Sequence, residues 1–151
     1  MNPENRLTLS DLVHRYAALV DDRRFDDAVG LFAQDATLVL PDPPQSLEPV
    51  VRHSGHEEIR TAMSAVAAVA RTQHAIVGET YTATAELARG RISCIAHHWT
   101  ERDGRVTDIA WHVRYDDEYV DTNAGWRFAS RTLTIDAIQT HPVSRLRPAG
   151  S

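Results

Sequence analysis

Helical and extended patterning occupy different parts of this chain, and that segregation limits the folds open to it. Before about residue 70, apolar residues recur at helical spacing: Leu9, Leu12, Val13, Tyr16 and Val20 fall on one face. Beyond it, long strand-like runs begin near Thr72, Gly90, Val106 and Trp126, separated by turn signals such as Asp103-Gly104 and Asn123-Ala124-Gly125. Consecutive strands joined by short turns pair antiparallel. Three one-faced helices ahead of them must cover one face of the sheet. The expected fold class is therefore α+β: a strongly curved, mostly antiparallel sheet enclosing a pocket covered by the N-terminal helices.

The first helix is expected from about Leu9 to Val20, opened by Thr8-Leu9-Ser10-Asp11, which resembles a capping box with Asp in its fourth position. A second, short helix would hold Phe25, Ala28, Val29 and Phe32. Thr37-Leu38-Val39-Leu40 reads as a strand, ended by Pro41-Asp42-Pro43-Pro44, and residues 41–55 read as a loop. Ser54-Gly55-His56-Glu57 is a clearer capping box, opening a third helix with Ile59, Met63 and Val66 on one face. Residues 1–6 and about 142–151 read as flexible tails. One domain over residues 1–151, with its core at about 7–138, accounts for the whole pattern.

Composition removes several functions. The formal charge is −5 and no basic patch is interleaved with aromatics, so nucleic acid is not an expected partner. Cys94 is the single cysteine, which rules out an intrachain disulfide and a cysteine-based zinc site. The longest apolar run, Met63 to Ala70, is about half the length of a membrane span. Residues 1–6 lack the apolar core of a signal peptide, so a cytoplasmic location is expected and no membrane partner. The eight histidines include no His-x-x-x-His pair, and no metal or other cofactor is expected.

The chemistry-bearing residues stand where patterning alone would not ask for them. Asp21 ends the first helix, where a carboxylate opposes the macrodipole; His74 opens a strand and shares parity with Ile76. His98 shares parity with Ile92, Cys94 and Ala96, and Arg131 with Ala129, Leu133 and Ile135. Polar groups on apolar faces need partners. A neutral core histidine is the plainer explanation for His74 or His98 taken singly, an internal salt bridge for Arg131, and a solvated turn for Asp21-Asp22-Arg23-Arg24. An imidazole oriented by a carboxylate is a proton-transfer device, and it accounts for Asp21 and His74 together. Asp22, Asp26 and Asp27 are assigned to solvent, His97 to the outer face, and His112 to the outer face or an oligomer interface. Tyr115, Val20 and Cys94 are expected to line the pocket and touch substrate. No nucleophile elbow, phosphate loop or dinucleotide fingerprint is present.

The segments Tyr16-Ala17-Ala18-Leu19-Val20-Asp21, Leu31-Phe32-Ala33-Gln34-Asp35-Ala36, Gly55-His56-Glu57-Glu58-Ile59, Thr72-Gln73-His74 and Gly125-Trp126-Arg127-Phe128 with Arg131 carry a resemblance. Over about residues 7–138 the chain resembles the SnoaL-like branch of the nuclear-transport-factor-2-like superfamily, which implies a cone-shaped α+β barrel closed by helices. Within it, the nearest pattern is that of scytalone dehydratase, hexachlorocyclohexane dehydrochlorinase and bile-acid dehydratase. The resemblance implies a cofactor-independent lyase, a dehydratase acting on a small apolar, cyclic or polyketide-like substrate. His74 would be the base and Asp21 its orienting carboxylate; His98, Arg131 and Tyr16 would stabilise an oxyanion or help a hydroxyl leave. Val20 stands where scytalone dehydratase has a tyrosine and Pro41 lies near the place of its second one, the two that hold a water in that enzyme. An isomerase or aldol-type cyclase on the same dyad, and a non-catalytic ligand-binding domain, are the alternatives. The resemblance also implies a homodimer or homotrimer formed through the outer sheet face, with Trp99, Trp111 and Tyr119 as candidate interface aromatics.

Overall fold

A computed structural model describes residues 1–84 and 87–148. Helix α1 (Pro3–Asp21) begins six residues earlier than its apolar spacing suggests. The Asn2 side chain accepts the Asn5 N–H at 2.7 Å and Pro3 opens the first turn, so a cap upstream of the periodic stretch sets the start. Thr8 consequently lies inside the helix, donating to the Glu4 carbonyl rather than capping. The buried stripe is Leu9, Leu12, Val13, Tyr16, Ala17 and Val20. After α2 (Phe25–Val29), Phe32 opens strand β1 (Phe32–Asp42) instead of closing the helix.

The stretch 41–55 is not a loop. Strand β2 (Ser46–Ser54) folds back on β1, with Leu40 opposite Val51 and Thr37 opposite Ser54. Pro49 hid it from a reading of the sequence, but β2 is an edge strand, where a missing N–H does no harm. Ser54 is the N-cap of α3 (Gly55–Ser64) as expected, yet its side chain makes no capping bond. A 3₁₀ turn (Ala65–Ala68) then leads into β3 (Arg71–Ala83).

Strands β4 (Leu87–Arg102), β5 (Arg105–Thr122) and β6 (Gly125–Val143) complete a six-stranded sheet in the order β2-β1-β6-β5-β4-β3. The four long strands form the expected antiparallel meander, and β1 joins β6 in parallel. The sheet is curved but not closed, since β2 and β3 are free edges. Asp103 (φ 53°) and Gly104 (φ 74°) both take left-handed geometry in the two-residue turn between β4 and β5, as a tight hairpin demands. At the other end of the meander β6 continues to Val143, opposite Val106, so the C-terminal tail starts later than expected.

Helices and sheet meet in one apolar core, where Tyr16 packs edge-on against Phe32, Tyr115 and Phe128. Gly90 lies against Tyr119, and a Cβ there would stand 2.6 Å from the Tyr119 hydroxyl. That hydroxyl is tied at 2.7 Å to buried Asp117 and has nowhere to go. Gly90→Ala is expected to cost about 1–3 kcal/mol of stability through overpacking. Denaturant titration would show it as a lower midpoint at unchanged slope.

Candidate active site

The helix stripe and the inner sheet face leave a cavity of about 400 Å³ between them, within the usual range for small-molecule sites. Its wall is apolar apart from His74, His98, Tyr16 and Tyr115, with Trp111 bearing only its indole N–H. Among the described residues, no Lys, Arg, Asp or Glu lines it. Val20 and Pro41 are on the wall as well and present hydrocarbon to the cavity.

Asp21 and His74 meet. The His74 Nδ1 lies 2.6 Å from Asp21 Oδ1, and the His74 backbone N–H donates to Asp21 Oδ2 at 2.9 Å. A carboxylate oxygen accepts, so Nδ1 carries a proton, and in the neutral ring Nε2 keeps a free lone pair. The imidazole is 9% exposed and the carboxylate 20%. Position follows from the fold: the C-terminus of α1 abuts the start of edge strand β3. The main-chain bond then fixes the carboxylate relative to that strand.

His98 sits diagonally across β3 and β4, in register with Thr72, while His74 faces Ala96. Its Nδ1 donates to the Ile109 carbonyl at 2.8 Å, which again leaves Nε2 as an acceptor. Burial, aided by the nearby His74 and opposed by the Ile109 carbonyl, lowers its pKa and favours the neutral ring. Tyr16 and Tyr115 are pushed up by burial, although the Arg131 cation opposes the shift, so both phenols stay protonated.

Arg131 and Cys94 are not on the cavity wall. Arg131 has no exposed surface and is committed to Asp117 through Nε (2.9 Å) and Nη2 (3.1 Å). Its Cζ lies 3.7 Å from the Tyr115 ring centroid and 4.4 Å from that of Tyr16. Those two rings stand on the wall, and the expectation of a guanidinium touching substrate is corrected to an internal ion pair behind it. Cys94 is 2% exposed, and burial pushes its thiol up to about 12. It packs among core residues rather than against a ligand.

Two of the three aromatics expected at an interface face inward: Trp111 lines the cavity and Tyr119 has no exposed surface. Only Trp99 lies on the outer face, stacked on His97, whose Nδ1 pairs with Asp108 at 2.6 Å. Sequence reasoning missed Asp117, which shares parity with Trp111, Val113 and Tyr115 and was the signal for the Arg131 partner. It also missed Thr72 and Arg23, whose side chains bond around Asp21. Among the described residues, no group of three or more His, Cys, Asp or Glu side chains is placed to hold a metal ion, and no helix is long and apolar enough to cross a membrane.

The SnoaL-like domain family matches residues 3–132, and the chain belongs to that family. No curated protein matches it. Among solved structures, one from Novosphingobium aromaticivorans, provisionally described as an aromatic ring hydroxylase, is 24% identical with a TM-score of 0.78. The match covers 95% of this chain and 96% of that one. A provisional scytalone dehydratase from the same organism is 15% identical over 97% of this chain and 94% of its own, with a TM-score of 0.76. A type 2 hexachlorocyclohexane dehydrochlorinase is 16% identical over 98% and 96%, with a TM-score of 0.75. At these identities the likeness shows a shared fold.

Two outcomes follow from the burial of Arg131 and Cys94. Arg131→Met strands the Asp117 carboxylate and should cost about 3–5 kcal/mol in a denaturant titration. Cys94 should react with an aromatic disulfide reagent only once the protein unfolds, because native burial withholds both access and thiolate.

Proposed function

We propose that the chain is a cofactor-independent lyase that eliminates water from a compact, neutral, largely apolar cyclic substrate. The observation that carries this reading is the His74 ring on the cavity wall, with Nδ1–H held 2.6 Å from Asp21 and Nε2 free to take a proton. In the reaction, Nε2 removes a proton from a carbon beside a carbonyl, and the C–H electron pair moves into an enolate. The enolate then collapses to a carbon–carbon double bond as the adjacent C–O bond breaks. The leaving hydroxide takes the proton back from the His74 imidazolium and departs as water, so protons and electrons balance with no outside reagent.

Asp21 neutralises the imidazolium while it exists. The protonated phenols of Tyr16 and Tyr115 are the donors available to the enolate oxygen. For His98 the geometry favours a different part from the one the sequence suggested. Its only proton goes to Ile109, so Nε2 accepts a hydrogen bond from a substrate hydroxyl and orients it. Arg131 acts from behind the wall, as a fixed positive charge against the faces of Tyr16 and Tyr115. A wall without lysine or arginine suits an uncharged substrate better than a carboxylate or phosphate ester. Membership of the SnoaL-like family, with a fold shared with a dehydrochlorinase and a provisional scytalone dehydratase, agrees with carbon-acid chemistry of the lyase or isomerase type. Self-association through the outer sheet face, around Trp99, belongs to the same proposal.

Incubation with a panel of neutral cyclic hydroxy ketones, read by mass spectrometry, should reveal a product lighter by one water. His74→Ala and Asp21→Asn should each lower turnover by about 10²–10⁴-fold. Near-wild-type turnover in both variants would sink the mechanism. A product of unchanged mass would move the reading to an isomerase on the same dyad.

A further inference from the structure

Helix α1 ends in an unusual way. The Arg24 N–H bonds the Leu19 carbonyl at 2.9 Å and the Arg23 N–H bonds that of Val20 at 3.1 Å, the pattern of a Schellman turn. The residue just past the cap then takes left-handed geometry, and glycine normally fills it. Here it is Arg23, at φ 61°. A side chain in that region is disfavoured, so something at this position outweighs the cost.

That something is the guanidinium. Arg23 Nη1 donates to Thr72 Oγ1 at 2.7 Å and Nη2 donates to the Val69 carbonyl at 3.2 Å. A hydroxyl has one proton, and Thr72 Oγ1, already accepting from Arg23, lies 3.0 Å from Asp21 Oδ1. Arginine cannot accept, so the Thr72 proton points to the carboxylate. Asp21 Oδ1 therefore receives Thr72 O–H and His74 Nδ1–H together, while Oδ2 receives the His74 main-chain N–H. Neither Thr72 nor Arg23 lines the cavity, so neither touches a substrate.

We infer that Arg23 and Thr72 are positioning residues, a donor relay that locks the Asp21 carboxylate in the orientation that holds His74 Nδ1–H. The inference rests on His74 acting as the base, and gives that reading its supporting layer. Without the Thr72 hydroxyl, the carboxylate keeps one fixed main-chain anchor and can turn about its Cβ–Cγ bond. Without Arg23, the Thr72 hydroxyl is free to rotate away. Either change loosens the imidazole proton while leaving the dyad residues in place.

The test reads that proton directly in the free protein. Uniformly ¹⁵N-labelled protein gives the His74 Nδ1–H resonance by NMR, and its exchange with water is measured in four forms: wild type, Thr72→Val, Thr72→Ser and Arg23→Gly. Thr72→Val keeps the shape and loses the donor; exchange should quicken by about tenfold or more, the loss expected for a hydrogen bond to a charged group. Thr72→Ser should restore the wild-type rate. Arg23→Gly should quicken exchange too while holding or raising the melting temperature, because glycine relieves the left-handed turn. Main-chain amides of β3 should exchange as in wild type throughout, which a general loss of structure would not allow. Wild-type Nδ1–H exchange in either Thr72→Val or Arg23→Gly would overturn the relay. No turnover is needed for the measurement, so an inactive wild type would remove the lyase reading and leave the relay standing.

Discussion

The inner face of this sheet carries a guanidinium and a carboxylate, Arg131 and Asp117, on adjacent central strands and with essentially no access to solvent. Charges removed from water this completely persist only when bonds and packing offset the desolvation, and the surroundings are committed to that task. The Tyr119 hydroxyl donates to Asp117, Gly90 leaves room for the Tyr119 ring, and the rings of Tyr16, Tyr115 and Phe128 cover the guanidinium carbon. Two of those rings are also cavity wall. The ion pair thus holds part of the wall from behind and brings α1, β5 and β6 to a common point.

At the far end of α1 the problem is different, because an edge strand must be joined to a helix terminus. Asp21 makes the joint, taking three donors from β3. The same bonds that fasten helix to sheet set the tautomer of His74, so a structural joint and a proton-transfer device coincide. A helix C-terminus is an electrostatically poor place for a carboxylate. The β3 donors, with the guanidinium of Arg23 behind Thr72, compensate.

Charge is sorted by layer throughout. Guanidinium and carboxylate groups lie behind the cavity, while its surface carries two imidazoles and two protonated phenols. In a low-dielectric cavity, any charge formed during reaction interacts strongly with the fixed donors and dipoles around it. The arrangement suits chemistry in which a proton leaves carbon and an oxygen transiently gains charge.

Much of this was legible in the chain. Stripe periodicity gave α1, turn signals gave the four-strand meander, and parity placed His74 and His98 on the inner face; these depend on local spacing, which sequence records directly. What misled was equally local. Asn2-Pro3 capped α1 upstream of its apolar stripe, and Pro49 disguised an edge strand as a loop. Parity told which face Arg131 occupies but not what stands between it and the cavity, and it could not pair Arg131 with Asp117 or Arg23 with Thr72. Sequence by itself determined the helical stripe of α1, the four long strands and their order in the meander, and the residues able to do chemistry, because each follows from neighbours along the chain. Which of those residues share a cavity, which lie behind its wall, and which nitrogen of His74 holds the proton were decided only when distant segments packed, since hydrogen bonding and desolvation depend on what stands nearby in space.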